Sequence, residues 1–98
     1  MMGPHLLSRI AEAVGGDLHA PLGDGPVTDI ALDSRKPHLQ PDTLFVALRG
    51  ERHDGHRYLP DLVARGVRHA LVSAPAPPEL RERLNTILVP DTLDALQR

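Results

Sequence analysis

Leu32-Asp33-Ser34-Arg35, followed by Leu44-Phe45-Val46-Ala47-Leu48-Arg49-Gly50-Glu51-Arg52-His53-Asp54-Gly55-His56, is the stretch on which the reading of this chain turns. An apolar strand pattern ends in the polar triplet Asp33-Ser34-Arg35. A second apolar run, residues 44–48, then enters a loop that holds two glycines, two arginines, a glutamate, an aspartate and two histidines. Strand ends that deliver polar groups close together are a common way to build a small-ligand site in an α/β domain.

Working outward, apolar positions Leu6, Leu7, Ile10, Ala13 and Val14 recur at helical spacing, which predicts an amphipathic helix over residues 4–14, with Pro4 in its first turn and Gly15-Gly16 as its stop. Residues 17–20 read as a short strand and 21–26 as a glycine-containing turn. Over residues 27–33 neither alternate face is purely polar, which predicts a strand covered on both sides. Residues 36–43 form a proline-bearing loop, and 44–48 an interior strand. A helix over residues 58–65 follows, ended by Gly66, with Pro60 acceptable only in its first turn. Residues 69–73 read as a strand, 74–78 as a proline-rich turn, 79–84 as a short helix and 86–89 as a strand. Asp91 or Thr92 then looks like the N-cap of a helix beginning at Leu93, cut short at Arg98 in a way that suggests a longer natural protein. Alternation of this kind implies an α/β fold: one small, mixed, largely parallel sheet flanked by helices, in a single domain over residues 1–98.

Composition narrows the function classes. The chain has 98 residues, a net charge of -2 and no cysteine. Disulfides and thiolate metal sites are therefore excluded. Without a basic block, and with Phe45 and Tyr58 as the only aromatics, neither a phosphate-tracking surface nor a row of base-stacking platforms is expected. No apolar run approaches the roughly 20 residues of a membrane-spanning helix, and the N-terminus does not read as a secretory signal. A cytoplasmic protein is expected.

Two constellations can carry chemistry. Ser34 offers a hydroxyl and a backbone N–H to a phosphate or carbonyl, Arg35 a planar fork of donors to an anion, and Asp33 can orient Arg35. The plainer reading of that triplet is a strand-ending turn with a surface ion pair. In the second loop, His53, Asp54 and His56 are conceivable metal ligands, but a His-x-x-His step in a loop is a weak pattern, and a structural or solvated role for these histidines is the stronger reading. His5, His19, His38 and His69 are assigned nothing. Neither a nucleophile elbow nor a glycine-lysine-threonine phosphate loop occurs, so the residues read as a binding site without catalytic machinery.

Taken in order, Asp33-Ser34-Arg35, residues 44–48, Gly50-Glu51-Arg52, Asp54-Gly55-His56, Ala64-Arg65-Gly66-Val67-Arg68-His69-Ala70-Leu71-Val72 and Val89-Pro90-Asp91-Thr92-Leu93-Asp94-Ala95-Leu96 resemble the N-terminal domain of the Mur ligases, of the MurE and MurF types, over essentially the whole chain. The Gly-Glu-Arg loop resembles the MurF type, which adds D-alanyl-D-alanine. The long loop before Leu44 and its Asp42-Thr43 end resemble the branch fused to an alanine racemase. The resemblance implies ATP-dependent ligation in peptidoglycan precursor synthesis. This domain would bind the uridine-diphosphate end of UDP-N-acetylmuramoyl-peptide. It implies nucleotide contacts from Leu32, Ser34 and Arg35 on one side and from Glu51, Arg52 and His53 on the other, with Asp33, Asp54 and Gly55 supporting them. ATP and Mg2+ would belong to the central and C-terminal domains of the parent enzyme, so these residues alone are expected neither to ligate nor to hold a cofactor or metal. A MurE-type domain, and a small α/β interaction module without a nucleotide site, are the alternatives.

Overall fold

A computed structural model describes residues 5–32, 39–48 and 54–96 of the chain. Strand β1 (His5–Leu6) leads directly into helix α1 (Leu7–Val14), followed by β2 (Asp17–His19), β3 (Pro26–Val27), β4 (Asp29–Ala31) and β5 (Thr43–Val46). A 3-10 turn over Gly55–Tyr58 runs into α2 (Leu59–Ala64). Then come β6 (His69–Val72), a 3-10 turn at Pro78–Leu80, β7 (Asn85–Leu88) and α3 (Thr92–Leu96). Five strands make one sheet in the order β2-β7-β6-β5-β4, in which β4 to β7 are parallel and β2 is antiparallel to β7. This is the mixed, largely parallel α/β sheet that the sequence predicts.

The period-2 pattern of the central strands sorts the core into two layers. Phe45, Ala47, Ala70 and Val72 point to the α2 side and pack with Leu59, Leu62, Val67, Leu80 and Leu84. Leu44, Val46, Leu71 and Ile87 point to the other side and pack with Leu7 and Ala11 of α1 and Ala95 of α3. A strand buried on both faces reads as a continuous apolar run, which is why residues 44–48 were legible as interior.

Several boundaries differ from the sequence reading. Helix α1 begins at Leu7 rather than Pro4, because His5 and Leu6 pair with Val27 and Pro26. Its first turn is capped at a distance: the Leu7 N–H donates to the Gly25 carbonyl (2.9 Å), and Asp24 accepts from both the Ser8 N–H (2.9 Å) and the Ser8 hydroxyl (2.5 Å). At the other end Gly15 takes φ +68° and the Gly16 N–H reaches the Ala11 carbonyl, closing the helix as expected.

The strand expected over residues 27–33 is divided between β3 and β4. It is not covered on both sides: Ala31 is buried under the α2 layer, whereas Ile30 is half exposed at the edge of the sheet. Ile30 lines a groove of about 290 Å³ beside α1, with Ile10, Val14 and Leu44. The helix expected over residues 58–65 starts three residues earlier, as the Gly55–Tyr58 turn. The helix expected over 79–84 is a single 3-10 turn.

Candidate ligand site at the carboxyl edge of the parallel strands

In open α/β sheets, ligands bind beyond the carboxyl ends of the strands. Here β4 and β5 are parallel neighbours, with Ala31 level with Phe45, so their carboxyl ends lie side by side. Leu32 follows Ala31 directly and leaves half of its surface in solvent. Ala47 and Leu48 continue β5 at the same edge. The two strand ends singled out from the sequence are thus brought together. Of the residues assigned to the site, Leu32, Asp54 and Gly55 are described. Asp33, Ser34 and Arg35 on one side, and Glu51, Arg52 and His53 on the other, lie outside the described residues.

The return from the second loop is firmly built. The Gly55 N–H donates to the Leu48 carbonyl (2.8 Å), so the chain leaves and rejoins β5 at one point. Gly55 fits there because it has no side chain: a Cβ would stand 2.9 Å from the Ala47 Cα and 3.1 Å from the Leu48 nitrogen. Asp54 caps the following turn by accepting from the His56 N–H (3.0 Å), and the same carboxylate oxygen lies 2.5 Å from His56 Nδ1. The other ring nitrogen, Nε2, accepts the backbone N–H of Ser73 at the end of β6 (3.0 Å). Both nitrogens of His56 are therefore engaged, leaving no lone pair for a metal ion.

The same edge is tied to α3. Asp91 is the N-cap, accepting from the N–H groups of Leu93 (2.9 Å) and Asp94 (3.2 Å). Thr92 is buried and donates its hydroxyl to the Ala47 carbonyl (3.0 Å). The sequence reading favoured a structural or solvated His56 without naming its partners, and missed the roles of Ser73 and Thr92. An aspartate two residues before a histidine was the available signal for a local cap, but the partner on β6 is far away in sequence.

Among the described residues, the two groups whose titration is displaced lie at the opposite, amino-terminal edge. His69 is buried at the start of β6, and desolvation, aided by the Arg68 charge, holds it below the ordinary histidine range against a hydrogen bond to the Pro26 carbonyl and the nearby carboxylates of Asp42 and Asp24. The Asp24 carboxyl is held below its usual range chiefly by the Ser8 hydroxyl and then by the Ser8 N–H. Neither bears on the candidate site.

Comparison with known proteins decides the family. Residues 26–98 match the profile described as "Mur ligase family, catalytic domain". The chain belongs to the Mur ligase family. Among Mur ligases, it is 41% identical over 95 residues to the UDP-N-acetylmuramoyl-tripeptide–D-alanyl-D-alanine ligase of Bacillus subtilis, covering 94% of this chain and 20% of that protein. It is 36% identical over 73 residues to the UDP-N-acetylmuramoyl-L-alanyl-D-glutamate–2,6-diaminopimelate ligase of Bacteroides fragilis, covering 74% of this chain and 14% of that one. A crystal structure of MurF from Acinetobacter baumannii superposes with a TM-score of 0.79 at 30% identity, over 97% of this chain and 20% of the other. The chain thus spans about one fifth of the length of the Bacillus subtilis and Acinetobacter baumannii ligases.

Proposed function

We propose that this chain is the N-terminal, substrate-binding domain of a MurF-type ligase and holds the uridine-diphosphate end of UDP-N-acetylmuramoyl-peptide. The whole protein would then be an ATP-dependent ligase of the bacterial cytoplasm that adds D-alanyl-D-alanine to the peptidoglycan precursor, in support of cell shape and division. The observation that carries this reading is the 41% identity, over nearly the entire chain, to a relative whose name states that reaction.

The residues have fitting chemistry. A diphosphate calls for hydroxyl, N–H and guanidinium donors, which Ser34 and Arg35 supply. Leu32, half exposed at the end of β4, offers an apolar surface for a uracil face. On this reading Glu51, Arg52 and His53 would supply further contacts to the nucleotide, supported by Asp33, Asp54 and Gly55. ATP and Mg2+ find no such fit here. The sequence holds no glycine-lysine-serine or glycine-lysine-threonine loop. No group of three metal-ligating side chains occurs among the described residues. Those groups, and ligation itself, belong to the central and C-terminal domains of the whole protein, which are also this domain's partners.

A MurE-type assignment, adding the third stem residue, is the second reading, favoured by the 36% identity to the Bacteroides fragilis enzyme. Titrating the 98-residue protein with UDP while recording amide NMR spectra tests the site. Shifts clustered at residues 32–35 and 51–53 are expected. Their absence at millimolar UDP would favour an interaction module without a nucleotide site. Assaying the whole protein with D-alanyl-D-alanine against a diamino acid separates the two ligase types.

A further inference from the structure

On the α2 face of the sheet, a cleft of about 250 Å³ lies beside the carboxyl ends of β6 and β7. The register of β2 on β7 explains what lines it. Asp17 stands opposite Leu88 and His19 opposite Thr86, so these four side chains share one face, with Val72 of β6 beside Leu88. The segment that carries Ala76 and Arg81 closes the other side. The His19 Nε2–H donates to the Arg81 carbonyl (3.1 Å), which holds Arg81 near the His19 end of the cleft. Asp17 lies two residues away along β2, a distance of roughly 7 Å.

Three polar groups meet in this cleft without partners of their own. The Asp17 carboxylate and the Arg81 guanidinium line it, and neither makes a hydrogen bond or ion pair among the described residues, not even with the other. Thr86 is buried, with 8% of its surface exposed, and its hydroxyl likewise makes no hydrogen bond there. Among the described residues no fully enclosed side-chain oxygen goes unsatisfied, so this hydroxyl must open into the cleft. It can both donate and accept. Between the charges the lining is apolar, from Val72, Ala76 and Leu88. The volume falls below the roughly 300–1,000 Å³ of sites for drug-sized ligands, so the cleft suits a small molecule.

We propose that this cleft binds a small zwitterion of the α-amino-acid type with a short aliphatic side chain. Its ammonium group meets the Asp17 carboxylate. Its carboxylate meets the Arg81 guanidinium and the Thr86 hydroxyl, and its side chain lies on Val72, Ala76 and Leu88. The unlike charges select the class: an anion alone would face Asp17 as a like charge, and a cation alone would face Arg81. Arginine suits the carboxylate because its planar fork can bond both oxygens. The cleft shares no residue with the proposed nucleotide site, and the inference does not rest on that reading.

Valine, isobutylamine and isovalerate test the proposal, since the second lacks the carboxylate of the first and the third lacks its ammonium. Amide NMR titrations of the 98-residue protein are made at neutral pH and fixed ionic strength. Millimolar valine should shift resonances clustered at residues 17–19, 72–76 and 86–88. Each analogue should bind about tenfold more weakly, the scale of one lost charge-assisted hydrogen bond. Asp17→Asn should weaken valine about tenfold without weakening isovalerate. Arg81→Gln should weaken valine alike without weakening isobutylamine. Both positions are exposed, so the two variants should keep the wild-type spectrum away from the cleft. The absence of shifts in millimolar valine, or shifts lying elsewhere, would overturn the proposal. So would an analogue that binds as tightly as valine, or either variant binding valine like the wild type.

Discussion

Nδ2 of Asn85 donates to Nδ1 of His69 across 3.4 Å, on the floor of the sheet opposite the candidate site. The same amide group donates to the Gly23 carbonyl (2.9 Å), and its oxygen accepts from the Leu22 N–H (3.0 Å). A single fully buried side chain therefore satisfies the turn that feeds β3 and caps α1. Asn85→Ala should cost about 2–3 kcal/mol, because it strands several buried polar groups at once. Urea unfolding measures this, and a loss below about 0.5 kcal/mol, the surface-substitution range, would contradict the role.

Titration of His69 gives stability a pH dependence. Its folded-state value lies below the ordinary 6.5 because burial disfavours the cation. As pH falls below 6.5, the unfolded chain takes up this proton before the folded one, so stability declines until the folded group titrates too. Asp24 adds a second, lower window: its folded value lies below 3.8, so its contribution is present above 3.8 and is lost as pH falls through the folded value. Denaturant midpoints measured from pH 8 downward should therefore fall below about pH 6.5, the free histidine value. His69→Gln, which cannot titrate, should flatten that portion, and identical profiles for the two proteins would refute the assignment.

Gly55→Ala tests the close approach beneath the second loop. The added Cβ meets backbone atoms of Ala47 and Leu48 rather than a flexible side chain, so the neighbours can yield little. Overpacking of this kind should cost about 1–3 kcal/mol. A thermal midpoint unchanged in the variant would show that the return of the loop shifts freely.

Much of the fold was legible because its signals are local. The all-apolar run at residues 44–48 announced a strand buried on both faces, and Gly15 and Gly66 marked helix ends. What the sequence reading lost depends on partners far away in the chain. The start of α1 is fixed by Asp24, sixteen residues downstream. Asn85 looked like a residue before a strand, while its function is set by a turn more than sixty residues upstream. At the site, the two strand ends were found as neighbours, and a structural or solvated role was favoured for the histidine of the Asp-Gly-His step, but without its partners. Its bond to Ser73 exists only once α2 has carried the chain across to β6.

The start of α3 gives a paired prediction. Asp91→Ala removes an exposed N-cap, and should cost about 1 kcal/mol. Thr92→Val removes a buried hydroxyl from the Ala47 carbonyl, should cost about 1–3 kcal/mol and should also disturb the floor of the site. Hydrogen exchange separates them: the Gly55 amide, bonded to the neighbouring Leu48 carbonyl, should lose protection in Thr92→Val and keep it in Asp91→Ala. Equal protection in the two variants would show that the carboxyl edge does not depend on α3.

The proposed division of labour on the first lip can be tested with two ligands. Leu32 is half exposed, so Leu32→Ser should change stability by no more than about 0.5 kcal/mol. If its side chain covers the uracil, the variant should bind UDP about tenfold more weakly, corresponding to the loss of part of an apolar contact, while its affinity for inorganic pyrophosphate stays unchanged. Arg35→Ala should instead weaken UDP and pyrophosphate together, by about 1.5–3 kcal/mol if the guanidinium meets the diphosphate. Isothermal titration of the two variants with both ligands makes the comparison. Equal losses of UDP and pyrophosphate in Leu32→Ser would place the base elsewhere, and a pyrophosphate affinity unchanged in Arg35→Ala would remove that arginine from the diphosphate site.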